Sequence, residues 1–226
     1  MIVLASAKTM KPSADEDATK PVFAEKSQQI RKQIAKMSID ELQNYFKIKG
    51  KTLENTHKYY SQPIYGKVVT SLDGAVFKQI QPLNDEYIAN NLYVLDTMYG
   101  ILNGNDQIEL FRLDFTLKSV VEQSYYNFWK EDVNKYIDNH HHHQLLILSS
   151  DEYTKLIDKA SISKQIFEIE FDPEIKSSVH KKQCRGKIAN YCIANHIEDY
   201  SNLDNTQIDE YNLTLKGITI YITRAN

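Results

Sequence analysis

Several groups of residues in the 226-residue chain have types and spacings that could do chemistry. Lys8 directly follows the apolar run Ile2 to Ala5. An open α/β sheet presents side chains to a ligand crevice from that position, and an ammonium there suits a phosphate or a carboxylate. Arg112 sits between Phe111 and Leu113. Its planar fork fits the same anions, and the structural alternative is an ion pair with Glu109 or Asp114. The run His180 to Lys187 holds Lys181, Lys182, Arg185 and Lys187 and no acid. At a helix N-terminus it would join cations to free backbone N–H groups as an anion site, and the plainer reading is a solvated helix face.

His140, His141, His142 and His143 are consecutive. Adjacent histidines on a loop take up divalent ions opportunistically, whereas a specific site needs ligands from separate elements with a second layer of partners behind them. No metal site and no cofactor is therefore expected. The run Ser149, Ser150, Asp151, Glu152, Tyr153 reads as a helix start, because serine followed by acids is what capping and the helix dipole favour. No nucleophile-elbow, Walker or zinc signature is present, so no catalytic residue is assigned. Cys184 and Cys192 are eight apart in a predicted helix, about 12 Å along its axis, which is too far for a disulfide. Lys182 and Arg185 would lower the pKa of Cys184 if it served as a redox thiol.

The elements that must position these residues follow from periodicity. Hydrophobic residues make up 42% and charged ones 25%, the balance of a globular protein, and a single domain over residues 1–226 is expected. The net charge of −3 means that any polyanion site must be a local patch. Apolar stretches are far shorter than the roughly 18 residues of a membrane span. The first residues lack the form of a secretory signal, which points to the cytoplasm. Ile2 to Ala5 predicts a buried strand, and the segment from Ser6 to Pro21 a polar loop. Val22, Ile30, Ile34 and Met37 share a helical face, and Ser38 to Glu41 form a capping box that starts a helix over 39–46. The run Gly66 to Leu72 has the character of a strand. Tyr87, Ile88, Leu92 and Leu95 recur at helical intervals in a helix beginning at Asn84, which runs into a glycine turn at Gly100. Later come a helix with Phe128, Trp129, Val133 and Ile137 inward, a strand at 144–150, a helix capped by Ser150, and an alternating strand at 166–171. A helix over 180–197 follows, and then a hairpin turning at Lys216 and Gly217 with Ile218, Ile220 and Ile222 inward. The expected fold is α/β (α+β), a mixed sheet covered by helices.

In this order the chain resembles the YaaA family of bacterial peroxide-stress proteins. The resemblance is carried by Ser6–Thr9 (SAKT), Leu72–Phe77 (LDGAVF), Leu95–Leu102 (LDTMYGIL), Leu110–Phe115 (LFRLDF), Asn127–Trp129 (NFW), Leu148–Tyr153 (LSSDEY) and Cys184–Ile193 (CRGKIANYCI). It implies a protein that limits damage from free intracellular iron and binds double-stranded or branched DNA through a helix-hairpin-helix element and a basic cleft. Residues from Asn84 to Asp106, with Gly100 in the hairpin, would supply the first helix and the hairpin of that element, whose backbone N–H groups approach phosphate without reading sequence. The chain departs from the family pattern at Thr97, which replaces a hairpin glycine, and at Asp73, Ala75 and Gln183. The alternative is an enzyme in which Lys8, Arg112, Lys182 and Arg185 line one cleft for a small anionic metabolite or nucleotide.

Overall fold

Nothing in the run IVLA prefers water, and β1 (Ile2–Ala5) is accordingly paired on both edges and buried. β3 (Leu92–Asp96) lies parallel to it on one side and β6 (Gln144–Ile147) on the other. The structure, a computed structural model, describes residues 1–13, 17–81 and 85–225. Beyond β6 come β7 (Gln165–Phe171) and β10 (Thr219–Arg224), both parallel. β4 (Gly100–Asn103), β9 (Tyr211–Lys216) and β8 (Thr206–Ile208) add antiparallel margins. The eight strands run in the order β4-β3-β1-β6-β7-β10-β9-β8. A separate two-stranded ladder joins β2 (Tyr65–Lys67) to β5 (Gln107–Glu109).

The helices are α1 (Ala24–Ala35), α2 (Ile39–Phe46), α3 (Lys51–Ser61), α4 (Val68–Ser71), α5 (Asp85–Asn91), α6 (Tyr125–Asn139), α7 (Asp151–Thr154) and α8 (Ser178–Ala194). The result is a single α/β domain with a large mixed sheet, as expected from the sequence. No described helix is long and apolar enough to cross a membrane. Ser38 forms the expected capping box, accepting from Glu41 N–H while the Glu41 carboxylate accepts from Ser38 N–H. On α6, Phe128, Trp129, Val133 and Ile137 are all buried.

The chief correction concerns residues 85–103. Helix α5 ends at Asn91, and Leu92 opens a strand; Asn84, where the predicted helix begins, lies outside the described residues, as do positions 14–16 of the polar loop. A run such as LYVL fits a helix or a doubly covered strand equally well by periodicity. Pairing with β1 decides for the strand, since it buries all five residues of β3. Gly100 therefore turns a β-hairpin between β3 and β4 inside the sheet, not a hairpin between helices. Its φ is +74°, and a Cβ there would lie 2.7 Å from Trp129 Cε3. A side chain is excluded by packing as well as by torsion.

Smaller corrections have similar causes. In the run Gly66 to Leu72 the strand stops at Lys67 and a turn of helix begins at Val68. Val22 (52% exposed) precedes α1 and escapes its buried face, and Ile218 (48% exposed) lies in the hairpin turn and not on its inner face. Ser150 occupies the N-cap position of α7, but its side chain makes no capping bond.

Candidate functional site

The parallel strands change direction of succession at β1: the chain goes from β1 to β3 on one side and returns to β6 on the other. Loops leaving the carboxyl ends of β1 and β6 thus diverge and leave a crevice between them, where open α/β sheets hold ligands. A cavity of about 280 Å³ opens there. Ser6, Ala7, Lys8 and Thr9 line it from the β1 loop, Leu148, Ser150, Glu152 and Tyr153 from the β6 loop and α7, Gly74 to Phe77 from a third loop, and Lys182 and Arg185 from α8. Helix α8 approaches closely because Gly186 has no side chain; a Cβ there would fall 2.2 Å from Val76 O.

The charges in this cleft are only partly matched. Lys8 Nζ pairs with Asp114 at 2.9 Å, and half of its side chain stays exposed. Burial alone would raise the Asp114 pKa, but hydrogen bonds from Thr116 and Lys8 hold it below the usual carboxylate range. Arg112 donates from Nη1 to the Lys8 carbonyl oxygen at 3.4 Å. The acids predicted to pair with Arg112 are engaged elsewhere: Asp114 by Lys8, and Glu109 by Arg31 at 3.3 Å. Arg31 is the structural arginine of this region. It is buried and donates to the carbonyl oxygens of Tyr59, Glu109 and Leu110, each at 2.8 Å.

Two side-chain atoms of cavity-lining residues, Glu152 Oε1 and Arg185 Nε, are buried without a hydrogen-bond partner. Burial lowers the pKa of Arg185, whose guanidinium lies 5.1 Å from the Phe171 ring centroid. Burial, with Asp114 nearby, raises the pKa of Glu152. A guanidinium edge without a partner and a carboxyl of raised pKa in the lining of one cavity are groups that can hold a small anion.

Lys8, Lys182 and Arg185 therefore share one cavity, and Arg112 touches it through Lys8. Lys181 lies over the Phe171 ring, 5.5 Å from its centroid. Lys187 is turned away: Asp209 (3.0 Å) and Glu210 (2.5 Å) hold its ammonium. Along α8, positions 182 and 185 share a face that position 187 does not. Gly100, packed on Trp129, cannot bring backbone N–H groups to a phosphate. Cys184 and Cys192 are free and buried, and burial pushes both thiols up to about 12, which removes the low-pKa thiol considered for Cys184.

A second basic surface escapes the sequence reading. α2 and α3 are joined by Lys47 to Gly50, with Lys47 in the left-handed region (φ 52°) and Gly50 at φ 58°. Lys47, Lys49 and Lys51 are all exposed around this bend, and space is open beside Gly50. The first N–H groups of α3 carry no side-chain cap. The signal in the sequence was the alternation K-x-K-G-K directly after a capped helix.

Five of the segments that line or adjoin the cleft (SAKT, LDGAVF, LFRLDF, LSSDEY and CRGK) are far apart in the chain and converge only on folding. A family profile described as "Peroxide stress protein YaaA" matches residues 1–216. The chain belongs to the YaaA family. Similar proteins in that family include a UPF0246 protein of Fusobacterium nucleatum, 36% identical over 209 residues, covering 86% of this chain and 84% of its own length. A UPF0246 protein of Crocosphaera subtropica is 30% identical over 228 residues (90% of each chain). One of Finegoldia magna is 28% identical over 233 residues, 96% of this chain and 93% of its own.

Proposed function

We propose that this YaaA-family peroxide-stress protein binds the DNA backbone without sequence preference, through the bend between α2 and α3. The observation that carries the reading is the set of exposed lysines, Lys47, Lys49 and Lys51, around an open glycine turn at the free N-terminus of α3. Phosphate oxygens are bound by ammonium groups and by helix N-terminal N–H groups together, and neither contact reads a base. Covering the backbone in this way is also how such a protein would limit DNA damage driven by free iron, acting in the cytoplasm.

The test is fluorescence anisotropy with duplex and branched DNA over a range of salt. Replacing Lys47, Lys49 and Lys51 together by alanine is expected to reduce the slope of log affinity against log salt by about 2.7, three phosphate contacts at 0.9 each. An unchanged slope, or no binding by the native chain at low salt, sinks the proposal. In a companion assay, plasmid nicking by ferrous ion and peroxide should be slowed by the native chain and not by the triple variant.

The unpaired Arg185 Nε and Glu152 Oε1 inside the cleft favour a second reading, a small anionic metabolite or nucleotide held by Lys8, Lys182 and Arg185. A cavity of about 280 Å³ admits a small anion but no duplex. On this reading Arg185→Ala abolishes small-anion binding and leaves the salt slope for DNA unaltered. Loss of DNA binding in Arg185→Ala would instead merge cleft and bend into one surface.

A further inference from the structure

The histidine run lies at the opposite, amino-terminal edge of the sheet, between α6 and β6. His140 and His142 face each other there, with their Nδ1 atoms 2.8 Å apart and their ring planes 22° from parallel. Each ring is held from behind by a different element. His142 Nε2 meets Asn91 Oδ1 at 2.9 Å, and His140 Nε2 meets the Tyr93 hydroxyl at 2.8 Å. Asn91 is buried at the end of α5, and its amide is oriented because Nδ2 donates to Tyr87 O at 3.1 Å. His141 stands beside the pair, and one donor atom from each of the three histidines lies within 4.8 Å of the others. The Lys164 ammonium fixes the loop from below by donating to the carbonyl oxygens of His140 and His142.

This is more than a loop of adjacent histidines. Asn91 Oδ1 can only accept, so His142 carries its proton on Nε2 and its Nδ1 lone pair is free. Without an ion the chain of bonds closes as Tyr93 O–H to His140 Nε2, then His140 Nδ1–H to His142 Nδ1. An ion displaces that last bond and reverses the one between Tyr93 and His140. The His140 proton passes from Nδ1 to Nε2, where Tyr93 Oη accepts it, and both Nδ1 lone pairs then converge with no net proton lost. Outer partners of this kind set the tautomer and aim of metal-binding histidines. Tetrahedral ligands at about 2.0 Å are spaced about 3.3 Å apart, so the rings need part by only about half an ångström.

We propose that His140, His141 and His142 form a site for a divalent late first-row transition metal, positioned by Asn91 and Tyr93, with a water in the fourth place. The donors are all imidazole nitrogens and a lysine ammonium stands nearby, so hard ions that need carboxylates are rejected.

Zinc chloride titrated calorimetrically into the full chain, with the visible absorption of cobalt(II) as a second probe, tests this. One ion per chain and a tetrahedral cobalt spectrum are expected, with no heat from magnesium or calcium. His140→Ala and His142→Ala should each weaken zinc by at least about tenfold, and Asn91→Ala by about tenfold through loss of the outer partner. His143→Ala should change nothing. Absence of zinc binding, binding that survives the double variant His140→Ala/His142→Ala, or loss on replacing His143 overturns the site. If the double variant does not fold, long-range proton–nitrogen spectra of the native rings decide. Zinc must shift Nδ1 of both His140 and His142, and unshifted Nδ1 signals refute the proposal.

Discussion

Gly100 and Gly50 bend the chain with similar positive φ angles, +74° and +58°, and share nothing else. At Gly100 a Cβ would strike Trp129 at 2.7 Å, whereas at Gly50 it would meet nothing within 4 Å. Around Gly100 the chain is apolar and buried on β3 and β4; around Gly50 it is lysine at 47, 49 and 51. A glycine turn inside a sheet serves packing. One at the tip of two helices, ringed by cations, leaves its backbone open to an anion. The difference lies in what surrounds the torsion, which a glycine alone does not reveal.

Breaking the buried turn should produce the largest effect. Gly100→Ala adds a methyl group where Trp129 and Val133 already stand and forces an L-residue into a left-handed conformation. Together these cost about 3 kcal/mol or more. Denaturant unfolding should show that loss, and a change below about 1 kcal/mol would mean that α6 gives way readily. The hydrogen bond from Trp129 Nε1 to Thr97 O (2.9 Å) argues against such give, because it ties α6 to the hairpin.

The same hairpin carries a pH signature that the open bend lacks. Asp96 is fully buried; desolvation pushes its pKa up to about 6, against N–H bonds to its Oδ1 from Met98 (2.7 Å) and Tyr99 (2.9 Å). A carboxyl whose folded pKa exceeds its unfolded value holds its proton more tightly when folded. Its contribution to stability is therefore full below about pH 4 and falls as the pH climbs toward 6. Across that interval the loss is about 3 kcal/mol at most. Asp96→Asn keeps the acceptor for both N–H groups and has no charge to bury. The stability of the variant relative to the native chain should rise between pH 4 and 6 and then level off. Taking the difference removes other titrations, including those of His140 and His142, which burial pushes down to about 4 and 3 and which act with the opposite sign. A flat difference would show that Asp96 is solvated.

What the sequence made legible divides by range. The capping box at Ser38 and the buried face of α6 are set within a few residues, and both form as their spacing predicts. The fate of Leu92 to Asp96 depends on β1, some 90 positions earlier, and no local pattern records that pairing. Lys8 was readable because position after a first strand is itself a topological cue. Glu152 and Arg31 were not: the raised pKa of Glu152 comes from burial and from Asp114, and the place of Arg31 from the carbonyls of α3 and β5. Arg112 shows the reverse case, with both sequence-neighbouring acids present but held by other cations.

The smallest effect, and the sharpest test of the comparison, is expected at Gly50. Its φ of 58° with ψ of −142° is a conformation that only glycine holds without strain, so Gly50→Ala costs about 1–2 kcal/mol although no atom is struck. The strain can be relieved by local rearrangement of an exposed bend, which Gly100 cannot do inside the sheet. The native core should therefore survive, with unchanged near-ultraviolet circular dichroism, while the free N–H groups of α3 lose their alignment. DNA affinity at low salt should fall several-fold with the salt slope preserved, since the three lysines remain. If stability drops as far as in Gly100→Ala, the two bends are not different in kind. If stability drops modestly and DNA affinity does not move, the lysines act without the backbone, and the contact is charge alone.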